Sequence, residues 1–181
     1  MPILETERLI LRPLELSDIP QLVPLIGARE VAATTLRIPH PYTEQHAREF
    51  IGPLQTAPAQ HAPIAGQAIT RKQDRQLIGG IGLQVDEAHQ RAELGYWIGV
   101  PFWGNGYATE AGRAMVRYGF ADLQLHRIFA SHFEGNTASA RVLKKIGMRH
   151  EGCQRGHILK WGQFLDLQLY GILRSEWESK T

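Results

Sequence analysis

Apolar and polar positions change period several times along the chain, and each change marks an element. The run "RLILRPL" (8–14) alternates apolar and basic residues, the period of a half-buried strand. Ser17 is placed to cap a helix running to about Ile26, with Pro20 tolerable in its first turn. The Pro-rich connection "RIPHPY" (37–42) leads to Thr43, the expected cap of a second helix to about Leu54, which the loop "TAPAQHAP" (56–63) ends. "GQAITRK" (66–72) and "LIGGIGLQV" (77–85) flank the polar "QDR" and read as a hairpin. "AELGYWIGV" (92–100) is a further strand, and helical sequence follows from about Tyr107 to Phe120. "RIFASHF" (127–133) reads as a strand, and Asn136 begins a helix that Gly147 stops after Ile146. "MRHEGCQRGHIL" (148–159) and "FLDLQLYGIL" (164–173) form a last strand pair around a turn at Trp161 and Gly162.

The order is therefore β-α-α-β-β-β-α-β-α-β-β. It predicts an α/β (α+β) protein with a mixed central sheet and helices on both faces. The 181 residues suit one domain over 1–181, with neither an internal repeat nor a linker.

Composition narrows the function classes. Hydrophobic residues make up 43% and charged residues 21%, as in ordinary soluble proteins. No apolar run approaches the roughly 20 residues that cross a bilayer. "MPILETERLI" lacks a charged region followed by an apolar core, so no secretory signal and no membrane partner are expected. The single cysteine, Cys153, excludes an internal disulfide and fits a cytoplasmic location. Net charge is +2 with scattered basic residues; the densest cluster, "RKQDR" (71–75), falls in a turn, so specific nucleic-acid binding is not expected. No two of the eight histidines are spaced to share a helix face as ligands, and no metal is expected.

The candidate chemistry begins at "WGNGYATEA" (103–111), a strand–turn–helix junction with two glycines. At a helix N-terminus the first N–H groups lack intrahelical partners and the dipole is positive, which suits phosphate. Glycines at 104 and 106 let an anion meet the backbone, Ala108 keeps the next position small, and the Thr109 hydroxyl adds a donor. Read alone, the stretch serves equally as a tight Asn-Gly turn. A Walker A loop is excluded, and a dinucleotide fingerprint fails because its third glycine falls at Thr109.

Two motifs in order carry a resemblance. "AELGYWIGVPFWGNGYATEA" followed by "LQLHRIFASHFEGNTASARVLKKIGMRHEG" closely resembles the GNAT superfamily of N-acetyltransferases, in particular its RimJ/RimL branch, which acetylates N-termini of ribosomal proteins. The strong match covers roughly residues 77–153, and "ETERLILRPLELSD" is similar to the same branch. The resemblance implies the acyl-CoA N-acyltransferase fold and acetyl-CoA as co-substrate. It implies that Trp103, Gly104, Asn105, Gly106, Tyr107 and Ala108 hold the pyrophosphate, although Trp103 replaces the superfamily's usual Arg or Gln. Trp97, Ile98 and Gly99 would pair with the pantetheine arm. Asn136 would bond pantetheine and Ser139 would lie near the thioester sulfur; positions i and i+3 share a helix face. Asn136 also reads as an N-cap, and the two roles are compatible. Many members carry an acidic tyrosine where this chain has Leu143, so Ser139 would replace it by stabilising sulfur through a hydrogen bond.

The implied reaction is direct transfer of acetyl to a primary amine, such as a protein N-terminal α-amine. A small-amine or antibiotic acceptor, or a module that only binds acyl-CoA, remain alternatives. An α-amine has a pKa near about 8 and a lysine near about 10.4, so the former needs less help from a base. Glu93 matches the acidic residue several members use as base; its other reading is a strand-end ion pair. An N–H near Ile98 or Gly99 would meet the oxyanion, and Gly99 with Pro101 would interrupt the ladder there. Lys144, with Arg141 and Lys145, would reach the adenosine 3′-phosphate or form a solvated basic face. Monomer and homodimer are both open.

Overall fold

Every neighbouring pair in the sheet is antiparallel except one, and that exception positions the site. Over the described residues, 2–56 and 64–179, the computed structural model contains strands β1 (Leu4–Glu5), β2 (Leu9–Pro13), β3 (Ile64–Arg71), β4 (Leu77–Asp86), β5 (Arg91–Ile98), β6 (Arg127–Phe133), β7 (Arg149–Lys160) and β8 (Gln163–Leu173). They lie in the order β1-β2-β3-β4-β5-β6-β8-β7. The parallel pair is β5 with β6, joined through a helix, as a parallel connection requires.

Helices cover both faces: α1 (Ile19–Ile26), α2 (Arg29–Thr34) and α3 (Glu44–Thr56) on one, α4 (Tyr107–Ala121) and α5 (Thr137–Lys145) on the other, with a short α6 (Arg174–Glu178) at the end. Met115, Phe120, Leu143 and Ile146 pack on Leu83, Leu94 and Ile128. Leu22, Ile26 and Ile51 pack on Ala68 and Leu77 across the sheet. A bulge keeps the two cores separate. Ile69 pairs with Gly79 but Thr70 pairs with Leu77, leaving Ile78 as the extra residue. That slip brings Ile81 and Leu83 onto the same face as Ile78.

Several local expectations hold. Thr43 accepts from the His46 N–H at 3.4 Å, and the His46 ring returns a contact to the Thr43 N–H at 3.1 Å. Gly147 has φ +98°; its N–H bonds the Lys144 carbonyl and the Met148 N–H bonds the Leu143 carbonyl, a Schellman stop. Trp161 and Gly162 both have positive φ, the geometry of a two-residue hairpin turn. Others change. Ser17 is not the cap: it sits in a 3₁₀ turn (Leu16–Asp18), and the Asp18 carboxylate accepts the Glu15 N–H at 2.9 Å. β1, α2 and α6 are too short to carry a readable period. The expected loop over 56–63 lies, from residue 57 on, outside the described residues.

Candidate active site

β5 and β6 pair only from Arg91–Arg127 to Glu93–Phe129, whereas β6 follows β8 over its whole length. Beyond Glu93 the sheet splits. The Gly99 N–H bonds the Ile78 carbonyl at 2.9 Å. In an antiparallel ladder the backbone groups then alternate, so Trp97, Gly95 and Glu93 also face β4. Tyr96 and Ile98 face the gap. The Ile98 carbonyl is taken by the Trp103 indole N–H at 2.6 Å, which leaves the Ile98 N–H and both backbone groups of Tyr96 on the open edge. Two expectations are corrected here. The N–H groups of Trp97 and Gly99 point away from the gap, so neither can pair with a ligand in it. The ladder opens after Glu93, well before Gly99 and Pro101, because β6 leaves with β8.

The glycine turn continues this edge. Gly104 and Gly106 both have φ +79°, which only glycine adopts cheaply, and Gly106 precedes the first residue of α4. The backbone N–H groups of residues 104–109 (Gly104, Asn105, Gly106, Tyr107, Ala108 and Thr109) have no acceptor among the described residues. The Asn105 side chain ties the turn together through the Phe102 and Trp103 carbonyls, at 3.1 and 3.0 Å. Trp103 therefore offers this turn no donor of its own. Arg8, just before β2, braces the turn: it bonds the Asn105 carbonyl at 3.1 Å and pairs with Glu110 at 2.7 Å. Burial opposes ionisation of Glu110, but bonds from Thr6 and Arg8 outweigh it and hold the carboxyl below the usual carboxylate range. Sequence reading missed this brace, whose partners lie a hundred residues apart.

On α5, Asn136 Oδ1 accepts the Ser139 N–H at 3.1 Å, so the cap is real, and the amide nitrogen has no partner among the described residues. The Ser139 hydroxyl lies 2.8 Å from the Tyr96 hydroxyl. Tyr96 was not anticipated. Burial pushes its pKa up to about 12 against the pull of the Ser139 bond, so it stays protonated in any ordinary assay. Leu143 is fully buried and lies in the core. Ala138, Arg141, Val142 and Lys145 line the cavity from α5, and Lys144 is exposed on the same helix.

A cavity of about 1060 Å³ runs from the glycine turn and α5 through the split to the underside of α1–α3. On the far side Glu93 pairs with Arg37 at 3.0 Å, and Arg37 also bonds Gln84 at 2.6 Å. His132 is buried on β6, its ring tilted against Tyr170 with centroids 5.4 Å apart. Its Nδ1 contacts the Phe133 carbonyl at 2.8 Å, and its Nε2, also buried, has no partner among the described residues. Among the described residues no cluster of His, Cys, Asp and Glu could hold a metal, and no helix is long and apolar enough to cross a membrane.

A split sheet whose open edge runs into a helix N-terminus with unpaired N–H groups defines an acyl-transferring enzyme of the N-acetyltransferase class. Comparison with known proteins agrees. Residues 8–149 match the acetyltransferase (GNAT) domain. The chain is 35% identical over 176 residues to the "uncharacterized N-acetyltransferase YoaA" of Bacillus subtilis, covering 96% of this chain and 97% of that one. It is 33% identical over 84 residues to the [ribosomal protein uS5]-alanine N-acetyltransferase of Escherichia coli, covering 46% and 43%. The crystal structure of a GNAT-family acetyltransferase from Bacillus anthracis superposes with TM-score 0.84 at 27% identity, covering 96% and 99%. The chain belongs to the GNAT family of N-acetyltransferases.

Proposed function

We propose that the protein transfers acetyl directly from acetyl-CoA to an α-amine, with the donor in the split and the acceptor entering from the α1–α3 face. The observation that carries this is two neighbouring sets of open N–H groups, those of Tyr96 and Ile98 on the β5 edge and those of residues 104–109, which have no acceptor among the described residues. A pantetheine arm would add to the β5 edge as a strand does, through its amides. The diphosphate would rest on the N–H groups of residues 104–109, with charge assistance from the α4 dipole. Arg141 and Lys145 line the cavity where a further phosphate would lie. The Asn136 amide would bond pantetheine while its oxygen caps α5.

The reaction needs three things. The amine must be neutral, and an α-amine with a pKa near about 8 is partly so at neutral pH. Glu93 sits on the acceptor face; it would orient the amine and take its proton through solvent. The oxyanion needs a donor in the gap, and of the Ile98 and Gly99 N–H groups the one on the open edge, that of Ile98, would serve. The departing thiolate would be met by the Ser139 hydroxyl, which Tyr96 aligns. With its pKa near 12, Tyr96 is too weak an acid to protonate a thiolate outright, so its service is positional.

The test uses one peptide carrying a free N-terminus and one internal lysine, incubated with acetyl-CoA and mapped by mass spectrometry. Acetylation of the α-amine is expected. Exclusive labelling of the lysine overturns the α-amine assignment.

A further inference from the structure

The face of the sheet toward α1 and α3 carries information about the acceptor beyond its amine. On that face the β4–β5 register places three pairs in a row: Gly80 with Trp97, Gly82 with Gly95, and Gln84 with Glu93. The central pair leaves the sheet bare. A Cβ at Gly95 would meet nothing within 4 Å, so the space above it is open. The Trp97 indole bounds this floor on one side. It lies across Gly80, where a Cβ would come within 2.6 Å of its Nε1. Glu93 bounds the other side. Overhead, Val31, Ile38, Tyr42 and Phe50 give the cavity an apolar roof.

Charge in this chamber is scarce. Among the described residues two carboxylates line the cavity. Glu49 is exposed at the rim, bonded by Gln45 at 2.7 Å, and Glu93 is shared with Arg37. The segment 57–63, "APAQHAP", contains no acidic residue. A polyamine or an aminoglycoside would bring several ammonium groups where counter-charge exists for one, and desolvating an unpaired ammonium is strongly unfavourable. An apolar side chain entering the same space gains from every methylene it hides.

Resting on the transferase reading above, we infer that the acceptor is an α-amine whose first residue has a large apolar side chain. The amine lies on the Gly82–Gly95 floor between Glu93 and Trp97. The side chain lies under Val31, Ile38 and Tyr42. The glycine pair is the specificity-determining feature, since any side chain at Gly95 would occupy the amine's seat.

The experiment compares glycinamide, alaninamide, leucinamide and phenylalaninamide with spermidine and kanamycin. Two readouts are taken: CoA release, and calorimetric affinity for the protein saturated with CoA, which needs no turnover. Leucinamide and phenylalaninamide are expected to exceed glycinamide about tenfold or more in both, from burial of the side chain, and spermidine and kanamycin are expected to fall below them. Gly95→Val, at a position where an added Cβ meets nothing within 4 Å, should reduce acceptor kcat/KM and affinity about tenfold while CoA affinity and Tm hold. A flat amide series, a preference for spermidine or kanamycin, or unchanged acceptor constants in Gly95→Val each overturn the inference. Size-ordered affinity without turnover supports the seat and removes the transferase reading; turnover with a flat series removes the seat alone.

Discussion

Replacing Gly106 by alanine tests whether the glycine turn is a phosphate seat. The added Cβ would meet only Arg8 Nη2, at 3.6 Å, an ordinary contact. The perturbation is therefore conformational. Gly106 has φ +79°, and a residue with a Cβ pays about 1–2 kcal/mol to stay there. Where that cost falls depends on what holds the loop in the free protein. Asn105 and Arg8 anchor the residues before it, but the N–H groups of 104–109 have no acceptor among the described residues. The free loop should thus relax toward negative φ, and CoA must restore the original conformation on binding. The cost then appears as an affinity loss of about 5- to 30-fold, one to two kcal/mol at RT near 0.6. Calorimetric titration with CoA and with pantetheine, which lacks the diphosphate, measures it. The loss should be confined to CoA. An equal loss for pantetheine, or no change in either Kd together with an unchanged Tm, would refute the seat. Gly52→Ala in α3 is the control. Its Cβ meets nothing within 4 Å, so it should stabilise the helix by about 0.5–1 kcal/mol and leave CoA affinity alone.

Two further outcomes are expected. Tyr96→Phe removes one neutral hydrogen bond to Ser139, worth about 0.5–1.5 kcal/mol, so kcat should fall about 2- to 12-fold with KM for acetyl-CoA little changed. Because burial keeps Tyr96 protonated, the shape of the kcat–pH profile should not change; disappearance of an alkaline limb in the variant would instead make Tyr96 the titrating acid. Asp18 is 5% exposed and receives both Arg12 Nη atoms, at 2.7 and 2.8 Å. Burial opposes its ionisation, yet the Arg12 and Glu15 bonds hold its pKa below the usual value. A depressed folded pKa gives stability that is complete above the unfolded value, about 3.9, and is lost as pH falls through the folded one. Asp18→Asn should therefore cost about 2 kcal/mol at neutral pH, discounted because Arg12 is part-exposed, and thermal melts should show the gap closing below about pH 4. A gap that stays constant down to pH 3 contradicts the linkage.

The elements legible in the sequence were those with a long, unbroken period or a terminal signal. α4, α5, the β3–β4 hairpin and the last strand pair fall within a few residues of their observed bounds, and Gly147 stops α5 as its position implies. β1, α2 and α6 were not legible, because two to six residues cannot display a period. The site divided along the same line. Glycines and the Asn136–Ser139 pair announce themselves by local spacing. Arg8–Glu110, Tyr96–Ser139 and Arg37–Glu93 join residues that the sheet alone brings together, and no spacing rule reaches across 102, 43 or 56 positions. The choice between Ile98 and Gly99 was hidden for a subtler reason. A strand's two edges alternate residue by residue, and which edge an N–H uses is fixed by the register of β5 on β4, which the three-dimensional pairing sets.

The split sheet makes the binding site a consequence of topology. β6 is committed to β8 through seven antiparallel pairs and to β5 through three parallel ones. Antiparallel pairing is the more stable per residue, so β6 follows β8 and leaves the end of β5 without a neighbour. An open edge inside a protein is costly unless something completes it, because unpaired N–H and C=O groups lose their water. A ligand with peptide-like amides is the natural completion. The same split decides which substrate arrives from which side. The helices that flank it, α4 and α5, present a positive helix end and cationic side chains, while α1–α3 present an apolar roof. A phosphate-bearing donor and an apolar amine, as proposed above, would thereby be sorted to opposite faces and would meet where the strands part.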